Sequence, residues 1–394
     1  MAKLHFDFRD IFRAGRYGFS GKKITVHFLG LVFVYLIYEI LVYLSLLISG
    51  GSAASDFWDR YALLPVCPFV NYNLPPLTIG AMGIGTFILF VVFFLTSTMV
   101  SKITIQQLRG DNFFSMRESA GFAKKHWKAV FGIFVSLIVI FVLLAATPIV
   151  VGLLGKIPAV GHILVMLASI LTILAFFLGL LMVYLVVILK VSLFFAPSVV
   201  AAVDSDTFET VYQHFSIVWN QPWRLVVYEI LLFGVKLICV PIGAVFCLAG
   251  FVLAILPIGW LIPTDMQVIM GHANQWLGGW IQKLAELSSV GQFFVFDWTV
   301  STNSPITLKI ASVFMTFSLL FIAGLVIAYL LSIASVGNTL IYTIVRKRID
   351  GENLLEVEEE EKDDISGPVA PEQTLSQEES TGEKPPSSSE EKPE

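Results

Sequence analysis

Charged residues are scarce in this chain, and their scarcity excludes an ordinary soluble protein. Only 14% of the 394 residues are charged and 56% are hydrophobic, whereas soluble domains average about 25% charged residues. The apolar residues also come in long runs instead of alternating with polar ones. Since a membrane helix needs ~20 apolar residues to cross ~30 Å of hydrocarbon, the composition indicates an integral membrane protein.

Cysteines and common catalytic motifs are also few or missing. The three cysteines, Cys67, Cys239 and Cys247, have neither metal-ligand spacing nor a nearby partner. The six histidines are scattered, and the chain has no His-Glu-x-x-His, no Gly-x-Ser-x-Gly and no phosphate-binding Gly-rich loop. We therefore expect no metal, no cofactor, no nucleic-acid partner and no catalytic residues, and we predict that the protein is not an enzyme.

Six apolar runs are long enough to span a bilayer. They cover residues 24–49, 78–101, 128–154, 162–190, 223–256 and 305–345. The last two exceed the length of an upright helix, so they must tilt, break or project from the membrane. The sequence predicts an all-α fold in which residues 1–349 form a polytopic membrane bundle of six transmembrane helices.

Lysines and arginines lie mostly on one side of these spans. Under this topology 17 of them fall on the side of the N terminus, and only Arg60, Lys156 and Lys283 fall on the other side. Because cytoplasmic loops are enriched in Lys and Arg, we expect both termini to be cytoplasmic.

The C-terminal segment differs sharply in charge from the rest of the chain. Residues 350–394 contain 16 acidic and three basic residues, whereas residues 1–349 contain 14 and 22. The segment is rich in Pro, Ser and Glu and too poor in apolar residues to offset its ordering entropy. We expect a disordered acidic cytoplasmic tail that folds back on basic surfaces, recruits a basic protein partner, or only solvates the terminus.

An amphipathic segment precedes each predicted outward span. The first extends over residues 8–19, and the second starts with a capping box, Ser115-Met116-Arg117-Glu118. The third follows Asp206 and has one apolar face made of Phe208, Val211, Tyr212, Phe215, Val218 and Trp219. This pattern predicts three hairpins, each introduced by a cytoplasmic amphipathic helix. The alternative is that the three segments resemble one another only in composition.

Two aromatic-basic pairs, Trp127-Lys128 and Trp223-Arg224, stand at the start of the third and fifth spans. An indole at the headgroup level beside a cation is an interfacial anchor. The basic segments around them are expected to contact anionic lipid headgroups.

Ionisable side chains inside a span cost several kcal/mol unless they are paired or hydrated. Lys309 lies near a span end and can snorkel to the surface, and Glu229 lies ~9 Å past Trp223. Glu39 and Lys236 lie deeper, ~24 Å and ~20 Å from the cytoplasmic side. Their depths predict an ion pair between the first and fifth spans, either as a clamp on helix register or, with Glu229, as part of a proton or ion path.

Small residues and tryptophans mark two further features. Gly324, Ala328 and Ser332 recur every four residues in the sixth span, which lets another helix approach closely. The outer loop, residues 257–304, contains four tryptophans and is predicted to be helical between Asp265 and Leu287. This helix would lie in the outer interface or form an aromatic lid over a ligand.

A thirty-residue stretch resembles a known kind of membrane protein. It comprises residues 195–201, Phe208-Glu209, Ser216, Trp219 and Pro222-Trp223-Arg224. It is similar to an element of bacterial six-helix membrane proteins, including the membrane domain attached to some glycerophosphodiester phosphodiesterases. The resemblance implies an apolar helix ending in a proline-containing bend, then a surface helix. It also implies a bacterial inner-membrane protein without an assigned reaction, since the phosphodiesterase domain is absent.

The expected function is that of a non-enzymatic membrane scaffold or accessory protein. A transporter or channel using Glu39, Glu229 and Lys236 is the second hypothesis, and an intramembrane lipid-modifying enzyme is the third. The first two are distinguished by whether these charges line a water-accessible cavity or close on each other in a dry bundle.

Overall fold

The structure, a computed structural model, describes residues 4–50, 52–64, 74–157, 160–170, 172–279, 304–351 and 353–356. The chain divides into a compact unit, residues 1–355, and a second unit, residues 356–394, of which Glu356 alone is described. Cys67, Trp280, Lys283, Trp298 and most of the acidic tail therefore lie outside the described residues.

The described residues form twelve α-helices. These are α1 (Phe8–Ile11), α2 (Arg13–Gly18), α3 (Gly21–Ser49), α4 (Ala53–Tyr61), α5 (Pro76–Arg109), α6 (Met116–Leu154), α7 (Val160–Ile170), α8 (Thr172–Val203), α9 (Thr207–Asn220), α10 (Pro222–Leu261), α11 (Pro263–Trp276) and α12 (Ile306–Asp350). Six of them, α3, α5, α6, α8, α10 and α12, are long and apolar enough to cross a membrane. The helical fold and its six apolar helices are as predicted.

The apolar stretches of these six helices face outward. In the most apolar window of each helix, between 0% and 28% of the residues are buried within the protein. A soluble bundle hides such residues in its core, whereas membrane helices present them to lipid. The protein is thus a multi-pass membrane protein.

Two helix boundaries differ from the predicted spans. The predicted capping box is confirmed, because the Glu118 amide donates to Ser115 Oγ and the Ser115 amide to the Glu118 carboxylate. However, α6 then runs without a break for 39 residues, since no proline intervenes before Pro148. The predicted surface helix and the third span are therefore one helix.

The fourth predicted span, residues 162–190, also has different limits. It is covered by α7 and α8, and α8 continues to Val203 with Pro197 inside it. The helix ends at Val203, six residues after this proline. Proline removes one backbone hydrogen bond, but residues 195–202 are buried by other helices, and that packing holds the helix together.

Helix α12 is the central element of the bundle. Its 45 residues extend over ~68 Å, more than twice the ~30 Å hydrocarbon core. Residues 335–345 are all buried, because α2, α3, α5, α8, α9 and α10 pack against this helix. Consecutive spans also pack together: α3 with α5, α6 with α8, and α10 with α12.

The N-terminal segment folds against the C-terminal part of α12. Arg348 pairs with Asp7 at 3.5 Å, and Lys347 Nζ lies 3.6 Å from the centre of the Phe6 ring. Gly18, at the end of α2, approaches α12 so closely that an added Cβ would lie 2.9 Å from Ile333 Cα. We call this end of the bundle, where residues 4–20 meet residues 346–355, the terminal end.

The chain is held at the terminal end beyond α12 as well. Gly351 ends the helix with a left-handed φ of 75°, a conformation that glycine adopts without steric cost. Leu354 and Leu355 are then buried, and Arg109 Nη2 donates to the Leu354 carbonyl oxygen at 3.0 Å.

Helix α9 buries three polar residues against the protein, together with Ile217 and Val218. Its cap is as predicted, with Asp206 accepting a hydrogen bond from the Glu209 amide at 2.9 Å. On the inner face Thr210, Gln213 and His214 are fully buried, and Gln213 Oε1 accepts from Arg346 Nη1 at 2.7 Å. The predicted apolar stripe is divided, because Phe208, Tyr212 and Trp219 are exposed whereas Val218 is buried.

At the opposite end of the bundle, two short helices cover the spans. Helix α11 confirms the helical part of the predicted outer loop as far as Trp276, and the loop lies outside the described residues from residue 280. The Leu63 amide donates to the Trp276 carbonyl oxygen at 3.2 Å. This bond connects the turn after α4 to the end of α11.

Candidate functional site

Polar side chains occupy the buried centre of the bundle near the terminal end. The buried part of α12 has hydroxyl or amide side chains at Ser332, Ser335, Asn338, Thr339 and Thr343. Their spacing of three or four residues places them along one side of the helix. Because buried polar groups need hydrogen-bond partners, the surrounding helices must supply complementary groups.

His27 on α3 connects three helices. Its Nδ1 lies 3.2 Å from Thr96 Oγ1 on α5, and its Nε2 lies 3.1 Å from Ser335 Oγ on α12. The Thr96 hydroxyl donates to the Val92 carbonyl oxygen at 2.9 Å, so it accepts from His27 Nδ1. In a neutral imidazole with its proton on Nδ1, Nε2 then accepts from the Ser335 hydroxyl.

The hydrogen bonds continue from α12 to α8 and α5. Thr339 Oγ1 donates to the Ser335 carbonyl oxygen at 2.7 Å and lies 3.3 Å from Ser198 Oγ. Ser198 Oγ in turn lies 3.5 Å from Ser101 Oγ. We call this set of six residues the polar row: Thr96, His27, Ser335, Thr339, Ser198 and Ser101.

A side chain of α12 also supports α8 next to its proline. Pro197 has no amide hydrogen, so it cannot donate to the Leu193 carbonyl oxygen in the helical ladder. One residue further on, the Phe194 carbonyl oxygen accepts from Asn338 Nδ2 at 2.9 Å. The central helix thereby contacts α8 where its backbone hydrogen bonding is weakest.

Two lysines that the sequence assigned to the cytoplasmic surface are buried. Lys23 is fully buried, and its Nζ donates to Gln107 Oε1 at 2.9 Å and to the Tyr17 carbonyl oxygen at 3.1 Å. Lys102 is 5% exposed and pairs with Asp204 at 2.8 Å. Part of the positive charge at this end therefore holds helices together, and does not face lipid or water.

The predicted ion pair between Glu39 and Lys236 is not formed. Among the described residues neither side chain has an ion-pair partner within 4.0 Å. Helix α3 packs mainly against α5 and α12, whereas α10 packs mainly against α12 and α11. Similar depths did not make the two residues neighbours, because they lie on helices that each pack against α12. Lys236 instead lies two turns after Glu229 on the same side of α10.

Glu39 lies between two tyrosines of its own helix. Tyr35 and Tyr43 stand one turn to either side, and their hydroxyls donate to the carbonyl oxygens of Leu63, at 2.9 Å, and Ala62. Glu39 Oε1 is buried and has no hydrogen-bond partner in the described structure. A carboxylate in this state is an acceptor available for a proton or a cation.

The predicted interfacial anchors lie on the outside near the terminal end. Trp127 is 49% exposed and Trp223 is 75% exposed, and both neighbouring bases, Lys128 and Arg224, are exposed too. The Lys128 carbonyl oxygen also accepts from Thr207 Oγ1 at 3.1 Å. This bond fixes the start of α9 to the start of the third span.

The small residues of the sixth span face other helices. A Cβ at Gly324 would lie 3.1 Å from the Phe28 ring on α3. Ala328 and Ser332 are fully buried, and Ser332 Oγ donates to the Gly18 carbonyl oxygen at 2.8 Å. All three thus lie where neighbouring elements come close to α12.

The polar row contains a hydroxyl and imidazole in the arrangement of a nucleophile and its base. Ser335 donates to His27, which Thr96 orients from the other side, as in a catalytic triad. However, Ser335 is only 5% exposed, so a substrate has no access to its Oγ in this conformation. The described residues also contain no group of three or more His, Cys, Asp or Glu that could hold a metal ion. The chemistry that remains for the polar row is hydrogen bonding between helices.

Sequence reasoning missed two deeply buried ionisable residues, His27 and Lys23. His27 was grouped with scattered histidines, although it lies inside a predicted span, where the cost of a polar side chain applies to imidazole as it does to charges. The cost of a polar side chain inside a span would by itself have identified His27 as a candidate. Lys23 gave no such signal, because a lysine at a span boundary normally snorkels to the surface.

His214 on α9 provides a pH-dependent stability test. Its Nδ1 donates to the Thr210 carbonyl oxygen at 2.7 Å, while Nε2 is buried without a partner in the described structure. Burial lowers the pKa of His214 to about 4, against a small opposing effect of the bond to Thr210. In the unfolded chain the pKa returns to ~6.5. Below that pH the unfolded state binds the proton more readily, so stability falls as the pH drops from 6.5 to 4.

We expect His214 to contribute about 3 kcal/mol to this loss of stability between pH 7 and pH 4. The measurement is thermal unfolding of the detergent-purified protein as a function of pH, compared with a His214→Gln variant. The variant should show a flatter profile over this range. Parallel profiles for the two proteins would contradict the burial of His214.

Comparisons of the chain with protein-family models, with curated proteins and with solved structures found no match. The resemblance around residues 195–224 therefore stays a prediction. The functional assignment rests on the residues and contacts described above.

Proposed function

We propose that this protein is a non-enzymatic integral membrane scaffold or accessory protein. The observation that supports this role is the polar row, whose members are buried and hydrogen-bonded to one another across α3, α5, α8 and α12. Side chains used for transport or catalysis are expected to face a cavity. Here they join the helices of a rigid bundle that presents its outer surfaces to lipid and partners.

In this proposal both termini are cytoplasmic, in a bacterial inner membrane, and the six spans form three hairpins. The contacts of α3 with α5, α6 with α8 and α10 with α12 support the hairpins, and α5 also joins the first hairpin to α6 and α8 of the second. The excess of Lys and Arg on the side of the N terminus supports the orientation. Two reporters fused after residue 349 test it. A fluorescent protein that folds only in the cytoplasm should fluoresce. A phosphatase that is active only on the opposite side of the membrane should show no activity. The reverse result contradicts the orientation.

The proposed partners are anionic lipid headgroups at the terminal end. Lys124, Lys125 and Lys128 are exposed on the first turns of α6, beside the half-exposed Trp127. Each base near a membrane surface contributes about 1 kcal/mol to the attraction of anionic lipid. The acidic tail would recruit a basic protein partner or compete with the lipid for these same bases.

Replacing all three lysines with glutamine is expected to lower the enrichment of anionic lipid around the protein at least about tenfold. The experiment measures phosphatidylglycerol relative to phosphatidylcholine retained by the purified protein, using native mass spectrometry. Lys156→Gln, which removes an exposed base from the opposite end, is the matched control and should retain normal enrichment. Equal enrichment in the triple variant and the control overturns this part of the proposal.

A second candidate function, proton or cation transport, is favoured by one observation. Glu39 and Glu229 each have a buried carboxylate oxygen without a hydrogen-bond partner in the described structure. A pH-sensitive dye inside reconstituted vesicles tests it. Proton uptake by wild-type vesicles that is lost in Glu39→Gln or Glu229→Gln supports transport. A rate of proton uptake equal to that of protein-free vesicles refutes it.

A further inference from the structure

The outward face of α9 is aromatic, and it continues the lipid-facing surface of the spans. Phe208, Tyr212 and Trp219 are 79%, 57% and 76% exposed, whereas the buried side of the helix carries Thr210, Gln213 and His214 together with Ile217 and Val218. The neighbouring spans α8 and α10 expose apolar side chains such as Val187 and Ile230. A helix with an exposed aromatic face is stable when lipid covers that face, because lipid removes it from water.

A cleft opens on this surface between α8 and α9. It has a volume of about 290 Å³ and is lined by Tyr184, Tyr212, Phe215, Ser216, Trp219 and Asn220. The Tyr184 ring meets the rings of Phe215 and Trp219 edge to face, with centroids 5.9 Å apart in both cases. The Tyr184 hydroxyl donates to the Phe215 carbonyl oxygen at 3.4 Å. These contacts fix the shape of the cleft before any ligand arrives.

The lining combines apolar walls with a few hydrogen-bond donors. Asn220 Nδ2 donates to the Ser216 carbonyl oxygen at 2.9 Å. In the part of the chain that the structure describes, no partner is recorded for the Tyr212 hydroxyl or for the Trp219 indole N–H. Aromatic walls with a few polar groups are typical of a ligand site. The cleft is shallow and open to the outside, so a ligand would lie along it.

We propose that the cleft between α8 and α9 is a binding site for a single phospholipid of the surrounding leaflet, with one acyl chain against Tyr184, Phe215 and Trp219. The occupant is a lipid because the cleft opens on the surface that the flanking spans present to the bilayer. The unpartnered donors of Tyr212 and Trp219 are suited to the ester and phosphate oxygens. A second protein would also have to cover the exposed faces of α8 and α10, and the small cleft provides no surface for that.

The inference rests on the proposed placement in a membrane, and it is tested with a photoreactive lipid. The full chain is reconstituted into nanodiscs that contain phosphatidylglycerol with a diazirine-bearing acyl chain. After illumination, the labelled peptides are identified by mass spectrometry. We expect labels to concentrate on Tyr184 and residues 212–220, relative to residues 242–253 of α10, whose exposed apolar side chains report on bulk lipid.

Two aromatic residues of α9 provide a matched comparison. Trp219→Ala removes a wall of the cleft and should lower labelling of the Tyr184 peptide about tenfold. Phe208→Ala removes an equally exposed aromatic side chain outside the cleft and should leave that labelling unchanged. If both variants lose label equally, or if the cleft is labelled no more than residues 242–253, the site does not exist.

A second variant and a separate test of membrane placement distinguish loss of the lipid site from misfolding and from a wrong membrane assignment. Tyr212→Ala replaces Trp219→Ala if the latter does not show a normal thermal unfolding transition, and it should lose label in the same way. Resistance of the wild-type protein to alkaline extraction from vesicles tests the membrane placement separately. Failure of that test refutes the proposed membrane role, whereas an embedded protein without enriched labelling refutes only the lipid site.

Discussion

Gly18→Ala is expected to destabilise the protein by about 3 kcal/mol, at the upper end of the effects of overpacking. The added Cβ would lie 2.9 Å from Cα and 3.2 Å from the amide nitrogen of Ile333. Backbone atoms in the middle of α12 cannot rotate away as a flexible side chain does. Helix α2 would therefore move outward, stretching the 2.8 Å hydrogen bond from Ser332 to the Gly18 carbonyl oxygen.

The nearby Gly21→Ala variant is a matched control. A Cβ at Gly21 meets no atom within 4 Å, so this change should leave stability within about 0.5 kcal/mol of the wild type or raise it slightly. The measurement is thermal unfolding of both variants in the same detergent. If the two variants unfold at the same temperature, α2 does not pack on α12 as described.

His27→Leu is expected to cost a similar amount, about 3 kcal/mol, because it leaves two buried hydroxyl groups with fewer hydrogen bonds. Ser335 loses its acceptor, and Thr96 loses the donor from His27 Nδ1. Thr96 suffers less, since its hydroxyl still donates to the Val92 carbonyl oxygen. The loss should therefore depend mainly on the bond between α3 and α12.

A double-mutant cycle with Ser335→Ala isolates that bond. In the His27→Leu background, removing the Ser335 hydroxyl should cost about 1–2 kcal/mol less than in the wild type, since the partner is already gone. His126→Leu, at a half-buried histidine whose Nδ1 contacts only the Phe122 carbonyl oxygen of its own helix, is the control for removing an imidazole. If the stability losses of His27→Leu and Ser335→Ala are strictly additive, the hydrogen bond between His27 and Ser335 does not exist.

These two predictions concern contacts that no local pattern in the sequence specified. Gly18 appeared only as one glycine in an amphipathic N-terminal segment, and its requirement for a hydrogen side chain depends on where α12 passes. The same is true of Lys23, whose partner Gln107 is 84 residues away in the chain. Contacts between helices that are distant in sequence arise from the order of the helices around α12.

The predicted charge pair illustrates the limit of depth arguments. Counting residues from the span ends gave similar depths for Glu39 and Lys236, but depth is only one of three coordinates. The lateral positions of α3 and α10, each packed against α12, were not available from hydropathy. Local features were more predictable: the caps at Ser115 and Asp206 depend on residues three positions apart.

The sequence by itself determined the six apolar helices, the helix caps and the helical start of the outer loop, because these depend on local hydrophobicity and short-range hydrogen bonds. Only the tertiary structure decided that α12 is central, that His27 joins Thr96 to Ser335, and that Thr210, Gln213 and His214 of α9 are buried. These follow from packing, because residues that are distant in the chain, such as His27 and Ser335, meet only when the helices pack against one another. For that reason the polar row and the cleft beside α9 became visible only in the folded bundle.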